Sequence, residues 1–135
     1  MAHFPADLRT LIAATTPITA LTSTRIHYNA LPQSSAFPHV WFRVASDTEP
    51  RTMDGVGSMH EADVDIECVG LTETSAQDVA DSIKTKLDGY KGSAGSSTIQ
   101  AAFLADKSDD YEPFSIPADQ GVHVIAFGMH CWYTT

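Results

Sequence analysis

The sequence predicts an α+β fold, an antiparallel β-sheet of four to five strands with two main helices packed on one face, in the order α-β-β-β-α-β-β. Three observations predict it. Ala62, Val64, Ile66 and Cys68 alternate with Asp63, Asp65 and Glu67, the period-two pattern of a strand with one buried face. Ala76, Val79, Ala80, Ile83 and Leu87 line one side of a 3.6-residue helix. Val122 to Tyr133 is apolar at almost every position, as in a central strand covered on both sides or one that meets another subunit. The 135 residues suit a single domain over 1–135, long enough to bury about two-thirds of the extended chain's surface.

In chain order, Leu8, Leu11 and Ile12 fall at helical spacing between Pro5 and Thr15, with Asp7 in the first turn where the helix dipole favours an anion. Pro17 interrupts this helix and opens a further turn through Leu21, because proline is accepted at a helix start and not inside. Arg25 to Asn29 reads as a short strand, and Pro32 and Pro38 mark the loop after it. From His39 to Asp47, Val40, Phe42 and Val44 alternate with Trp41, Arg43 and Ala45, a second strand. Residues 46–60 hold Pro50, Gly55 and Gly57 and are too many for a tight hairpin, so they read as a long exposed or interface-forming loop. The strand ending at Cys68 follows. Thr74 and Gln77 then fit a capping box for the second helix, which Gly89 stops. Residues 91–98, KGSAGSST, read as a flexible connection, Ile99 to Leu104 as a strand, and 106–121 as an acidic, proline-bearing loop.

Composition removes several function classes. With 43% hydrophobic and 19% charged residues the chain is globular in type. Eight Lys and Arg against seventeen Asp and Glu give a net charge of −9 with no basic run, which argues against a nucleic-acid clamp. The N-terminal residues lack the pattern of a secretory signal, and no stretch of 18 apolar residues offers a membrane span, so the expectation is a soluble protein made in the cytoplasm. Cys68 and Cys131 form no CxxC pair and are expected as two buried free thiols.

No catalytic, metal or cofactor site is expected. His3, His27, His39, His60, His123 and His130 show no HExxH or HxH spacing, and adjacent His130 and Cys131 point to opposite faces of a strand. No GxSxG occurs, and Gly55 and Gly57 lack the GxGxxG context of a phosphate cradle. Asp63, Asp65 and Glu67 form an acidic strand face, either a solvated surface or one past which a polyanion slides without sticking. Met53, Tyr111 and Phe114 stand in polar loops, where they serve either loop packing or protein contacts.

One ordered series of short motifs spans nearly the whole chain. An early helix precedes Arg25-Ile26, Leu31-Pro32-Gln33, Pro38 and Val40, Asp54-Gly55, the strand ending in Cys68, the helix from Ser75 to Leu87, Asp110-Tyr111-Glu112-Pro113 and a final apolar strand from His123. This order resembles the tail-completion or tail-terminator proteins of long-tailed bacteriophages, prophages and gene transfer agents. The resemblance implies a non-enzymatic virion protein, a ring homo-oligomer, hexameric by family pattern, on the head-proximal end of the tail tube. Its partners would be further copies of itself, the tail tube protein and the head-tail connector or stopper protein, with DNA passing through the lumen unbound and no membrane involved. Carried over by position, Asp47, Glu49, Arg51, Met53 and Asp54, with Asp110, Tyr111, Glu112, Pro113 and Phe114, become candidate contacts to neighbouring subunits or tube, and Asp63, Asp65 and Glu67 a candidate acidic lumen face. Residues 114–121 form a longer segment than the family pattern has. A neck or head-completion adaptor, or a small-ligand-binding α+β domain, are the alternatives; a deep apolar pocket with convergent polar groups would mark the last.

Overall fold

In the computed structural model, which describes residues 4–23, 25–28, 38–49, 51–52, 55–56, 59–112 and 122–134, the apolar periodicities resolve into a sheet with its helices on one side. Phe4, Leu8, Leu11 and Ile12 recur every three or four residues, so α1 (Phe4–Ala13) turns one apolar stripe inward. A second helix, α2 (Thr16–Thr22), carries Pro17 in its first turn and buries Ile18 and Thr22. Its N-cap, Thr15, makes no side-chain cap; its hydroxyl donates back to Leu11 O at 3.0 Å.

The sheet has six strands in the order β1-β2-β5-β8-β7-β6: β1 (Ile26–Tyr28), β2 (His39–Thr48), β5 (Met59–Gly70), β6 (Gly92–Ala94), β7 (Ser97–Glu112) and β8 (Val122–Thr134). A separate two-stranded ribbon joins β3 (Arg51–Thr52) to β4 (Gly55–Val56). The remaining helix, α3 (Glu73–Leu87), lies between β5 and β6 in the chain. The sheet is mixed, not antiparallel throughout, because β1 runs parallel to β2 with Ile26 opposite Val40. Apolar pattern reports that a strand exists and which face is buried; the direction of an edge pair depends on where the connecting chain returns. Arg9 Nε donates to Ile26 O and Arg25 Nε to Pro38 O, each at 2.9 Å, tying that edge to the helix layer and to the start of β2.

Four further expectations are corrected. Residues 91–98 are not a flexible connection: β6 and β7 form a hairpin whose turn holds Gly95 at φ 55 and is gripped by Asp7 of α1. The loop expected over 106–121 is strand as far as Glu112, paired to β8. A shift of register between Ala105 and Ser108, with Asp106 at φ 56, removes the alternation by which such a strand is recognised. The loop expected over 46–60 contains the ends of β2 and β5 and the β3–β4 ribbon. The helix cap is Thr72, whose side chain accepts from Ser75 N at 3.1 Å, and not Thr74; Gln77 bonds to Asp81 instead.

Phe42, Ile66 and Phe127 occupy one cross-strand row on the helix side, and Val44, Val64, Met129 and Leu104 the next. Leu8, Ile12 and Ile18 from the first two helices and Val79, Ile83 and Leu87 from α3 cover this face in a single cluster. Cys68 and Cys131 both belong to it as buried free thiols, each pushed up to about 12 by burial. At the end of β5, Gly70 lets the chain pass α3 closely, since a Cβ there would come within 2.8 Å of Ala76 N. Among the described residues the helices pack on this face alone; on the other, helix-free face Val69 and Val124 form a separate buried pair.

Candidate functional site

Period-two alternation sends Glu61, Asp63, Asp65 and Glu67 of β5 to the helix-free face, opposite Ala62, Val64, Ile66 and Cys68. Register decides what they meet. Asp65 lies between Arg43 and Gly128, and the Arg43 guanidinium Nη2 reaches Asp65 Oδ2 at 2.9 Å. Asp63 lies between Ser46 and His130; the Ser46 hydroxyl donates to it at 3.1 Å and His130 Nδ1 bonds to its other oxygen. The far ring nitrogen of His130, Nε2, lies 2.7 Å from Glu61 Oε1. His130 is thus clamped between two carboxylates one strand away. The Asp63 hydrogen bond, aided by that of Glu61, raises the imidazole's pKa above its ordinary value, and the same bond lowers that of Asp63. Glu67 is half-buried, in register with Trp41 and Ala126.

Aromatic rings border this acidic strip. Trp132 stands edge-on to His130, with ring centroids 4.5 Å apart, and Phe103 of β7 stands edge-on to Trp132 at 5.9 Å. Phe103 is 53% exposed, a large apolar side chain in water. Beside them Ala105, Asp106 and Gly128 floor an open trough with Asp63, Asp65 and His130 along its sides.

The other carboxylate group lies on the helix side, at the end of β2. The register shift between Val44 and Ser46 turns Asp47 to the face of Ala62. There the Tyr133 hydroxyl donates to Asp47 Oδ2, and His60 Nδ1 lies 3.3 Å from Asp47 Oδ1 and Nε2 3.4 Å from Glu49 Oε1. Tyr133 is stacked between Phe4, at 3.9 Å, and His60, at 4.8 Å. Burial, with the Asp47 bond second, pushes its phenol upward in pKa.

The structure therefore brings Asp47 and Glu49 together on one side of the sheet and Asp63, Asp65 and Glu67 on the other. Arg51 contributes backbone to β3, and Tyr111 and Glu112 to the end of β7, while Asp110 is exposed opposite Val124. Met53, Asp54, Pro113 and Phe114 lie outside the described residues. Arg43, Phe103, His130 and Trp132 were not among the candidate residues; the alternation of Trp41, Arg43 and Ala45 was the one available signal, since cross-strand register is not written in a single strand. Among the described residues no group of three or more His, Cys, Asp or Glu has the arrangement to hold a metal ion, and no helix is long and apolar enough to cross a membrane.

The family model described as tail completion protein gp17 matches residues 6–127. No curated protein sequence matches significantly. Among solved structures, a chain from the virion of a native gene transfer agent particle shares the fold, with TM-score 0.59 and 13% identity over 90% of this chain and 87% of that one.

Proposed function

This chain belongs to the tail completion protein gp17 family, and from that premise we propose that its copies close into a six-membered ring on the head-proximal end of a tail tube. It is a structural component of a phage-type tail. In the proposed ring, tube subunits can no longer add, the far side meets the head's connector or stopper protein, and DNA passes through without being gripped.

The observation that carries this reading is the family match over 6–127, nearly the whole chain. The geometry is compatible with it. Rings are built from heterologous contacts, in which one patch meets a different patch on the next copy. This subunit has two unlike surfaces, the helix side with Asp47 and Glu49 at its rim and the helix-free sheet face with Asp63, Asp65 and Glu67. Asp47, Glu49, Arg51, Met53 and Asp54, with Asp110, Tyr111, Glu112, Pro113 and Phe114, are the proposed contacts to the tube or to neighbouring subunits. A subunit of charge −9 also suits a channel for a polyanion, since it offers phosphates no counterion-releasing surface.

The deciding experiment assembles tails with and without the protein and measures them by electron microscopy. Tubes of uncontrolled length that fail to join heads are expected in its absence. Tails of normal length, joined to heads, would sink the proposal.

A further inference from the structure

Lys84, Lys86 and Lys91 cluster where α3 ends and β6 begins. Among the described residues none of the three is ion-paired with a carboxylate, and Lys86 Nζ lies 4.8 Å over the Tyr90 ring. Other cations are engaged inside the subunit: Arg9 and Arg25 with backbone carbonyls, Arg43 with Asp65, Lys107 with Gln77. Asp88 lies among them and accepts from Leu104 N, so on a chain of charge −9 three lysines against one carboxylate leave this corner a local excess of two positive charges.

The helix-free face is its complement. Glu61 and Asp63 sit beside Trp132 and the exposed ring of Phe103. Exposed aromatics flanked by charge are the composition of contact anchors. A face kept clear for DNA gains nothing from them, and here Arg43 and His130 already blunt its repulsion. A second copy is repelled at long range by its own net charge, so a stable self-contact has to set the unpaired cations against carboxylates.

Resting on the ring reading above, we infer that the helix-free face around Trp132 and Phe103 of one copy receives the Lys84–Lys91 corner of the next. The two patches differ, so each copy offers one of each and repetition by rotation closes a ring. The lysine stems lie along the aromatic rings and their ammonium groups reach Glu61 and Asp63. The trough over Ala105 and Gly128 leaves room beside them.

Charge exchange tests this by sedimentation velocity and native mass spectrometry. Glu61→Lys/Asp63→Lys and Lys84→Glu/Lys86→Glu/Lys91→Glu are each expected to raise the concentration needed for assembly more than about tenfold, because like charges then face each other. An equimolar mixture of the two restores rings of alternating subunits, and so does the variant carrying all five changes. Because Glu61 and Asp63 also hold His130, thermal melts establish that the first variant is folded; the lysine changes and Phe103→Glu, at an exposed ring, test the same contact without touching that clamp. Rings that survive either charge reversal overturn the contact while leaving the ring reading intact, as does a mixture that stays dissociated. If Glu61→Lys/Asp63→Lys rings form normally but DNA passage slows, the face is lumenal and the contact is wrong. Wild-type protein that stays monomeric, both alone and on tube ends, removes the ring reading itself and the contact with it.

Discussion

Asp7→Ala removes the carboxylate that pins the β6–β7 turn to α1. Asp7 is 8% exposed and accepts from Ser96 N at 3.1 Å, from the Ser96 hydroxyl at 3.1 Å and from the Ser97 hydroxyl at 2.6 Å. Ser96 is exposed, so water replaces the carboxylate at its two donors and little is lost there. Ser97 is 2% exposed, and its hydroxyl would be left without its acceptor where water enters poorly. A hydrogen bond to a charged group is worth about 1.5–3 kcal/mol, and a stranded buried donor costs about 1–3 kcal/mol. Taken together these give a loss of about 3 kcal/mol. For a chain of this size that is a fall in Tm of roughly 10 °C. Asp7→Asn keeps one acceptor oxygen and should lose about half as much. The assay is urea unfolding followed by circular dichroism, with Ser97→Ala and the double variant completing a cycle. Coupling between Asp7 and Ser97 of at least about 1 kcal/mol is expected. An unfolding free energy within about 0.5 kcal/mol of wild type, or strictly additive losses, would refute the clamp.

Stability should also depend on pH through His130 and Asp63. The raised pKa of His130 contributes stability that is complete below the unfolded value of 6.5 and is lost as pH rises through the folded one. The lowered pKa of Asp63 contributes stability that is complete above 3.8 and is lost as pH falls through the folded one. The pair is therefore strongest between those two values, and His130→Gln should flatten the alkaline side of the urea midpoint profile; a profile unchanged by the substitution would contradict the bridge. Phe42→Ala opens the centre of the sheet's helix side, where Phe42 is fully buried beside Ile66, and should cost about 3–5 kcal/mol in chemical denaturation. Thr72→Ala should cost about 1 kcal/mol while Thr74→Ala costs close to nothing, and the reverse order would return the cap to Thr74.

The elements that were legible in the sequence are those with one buried face. β5 and the first half of β2 alternate because the core takes every second side chain, and α3 shows its stripe because the core takes one side of it. The second half of β7 was illegible for the same reason. Residues 105–110 are all exposed, so burial imposes no pattern on them, and the register shift there would break any pattern that existed. The β6–β7 hairpin reads as flexible chain because its order depends on Asp7, about ninety residues away, which accepts from the Ser96 and Ser97 hydroxyls, and GSAGSS carries no apolar pattern of its own. At the candidate surfaces, the carboxylates of β5 were visible while their partners were not. Arg43 and His130 meet them only through pairing of three strands.

The register shift in β2 bears most directly on assembly. With unbroken alternation from Val44, Asp47 would fall on the helix-free face with Arg43, and the carboxylates of β2 and β5 would merge into one acidic sheet surface. The extra residue at Ala45 leaves Ser46 opposite Asp63 and turns Asp47 over to Tyr133 and His60. Two separate acidic groups result, one on each side of a sheet, each with its own histidine and its own aromatic neighbours. Like carboxylates repel, so a subunit whose charge lay on a single face could not set that face against its own copy, and a ring needs two unlike patches on each subunit. Dividing that charge gives the subunit distinct front and back surfaces, which is what a head-to-tail ring requires. Exchanging the two side chains, Asp47→Thr/Thr48→Asp, moves the carboxylate to the position opposite Glu61 and should therefore disturb assembly before it disturbs the core, because Val40, Phe42 and Val44 precede the shift and keep their partners. If the exchanged protein melts near the wild-type temperature and still assembles, the division of charge has no part in the proposed ring.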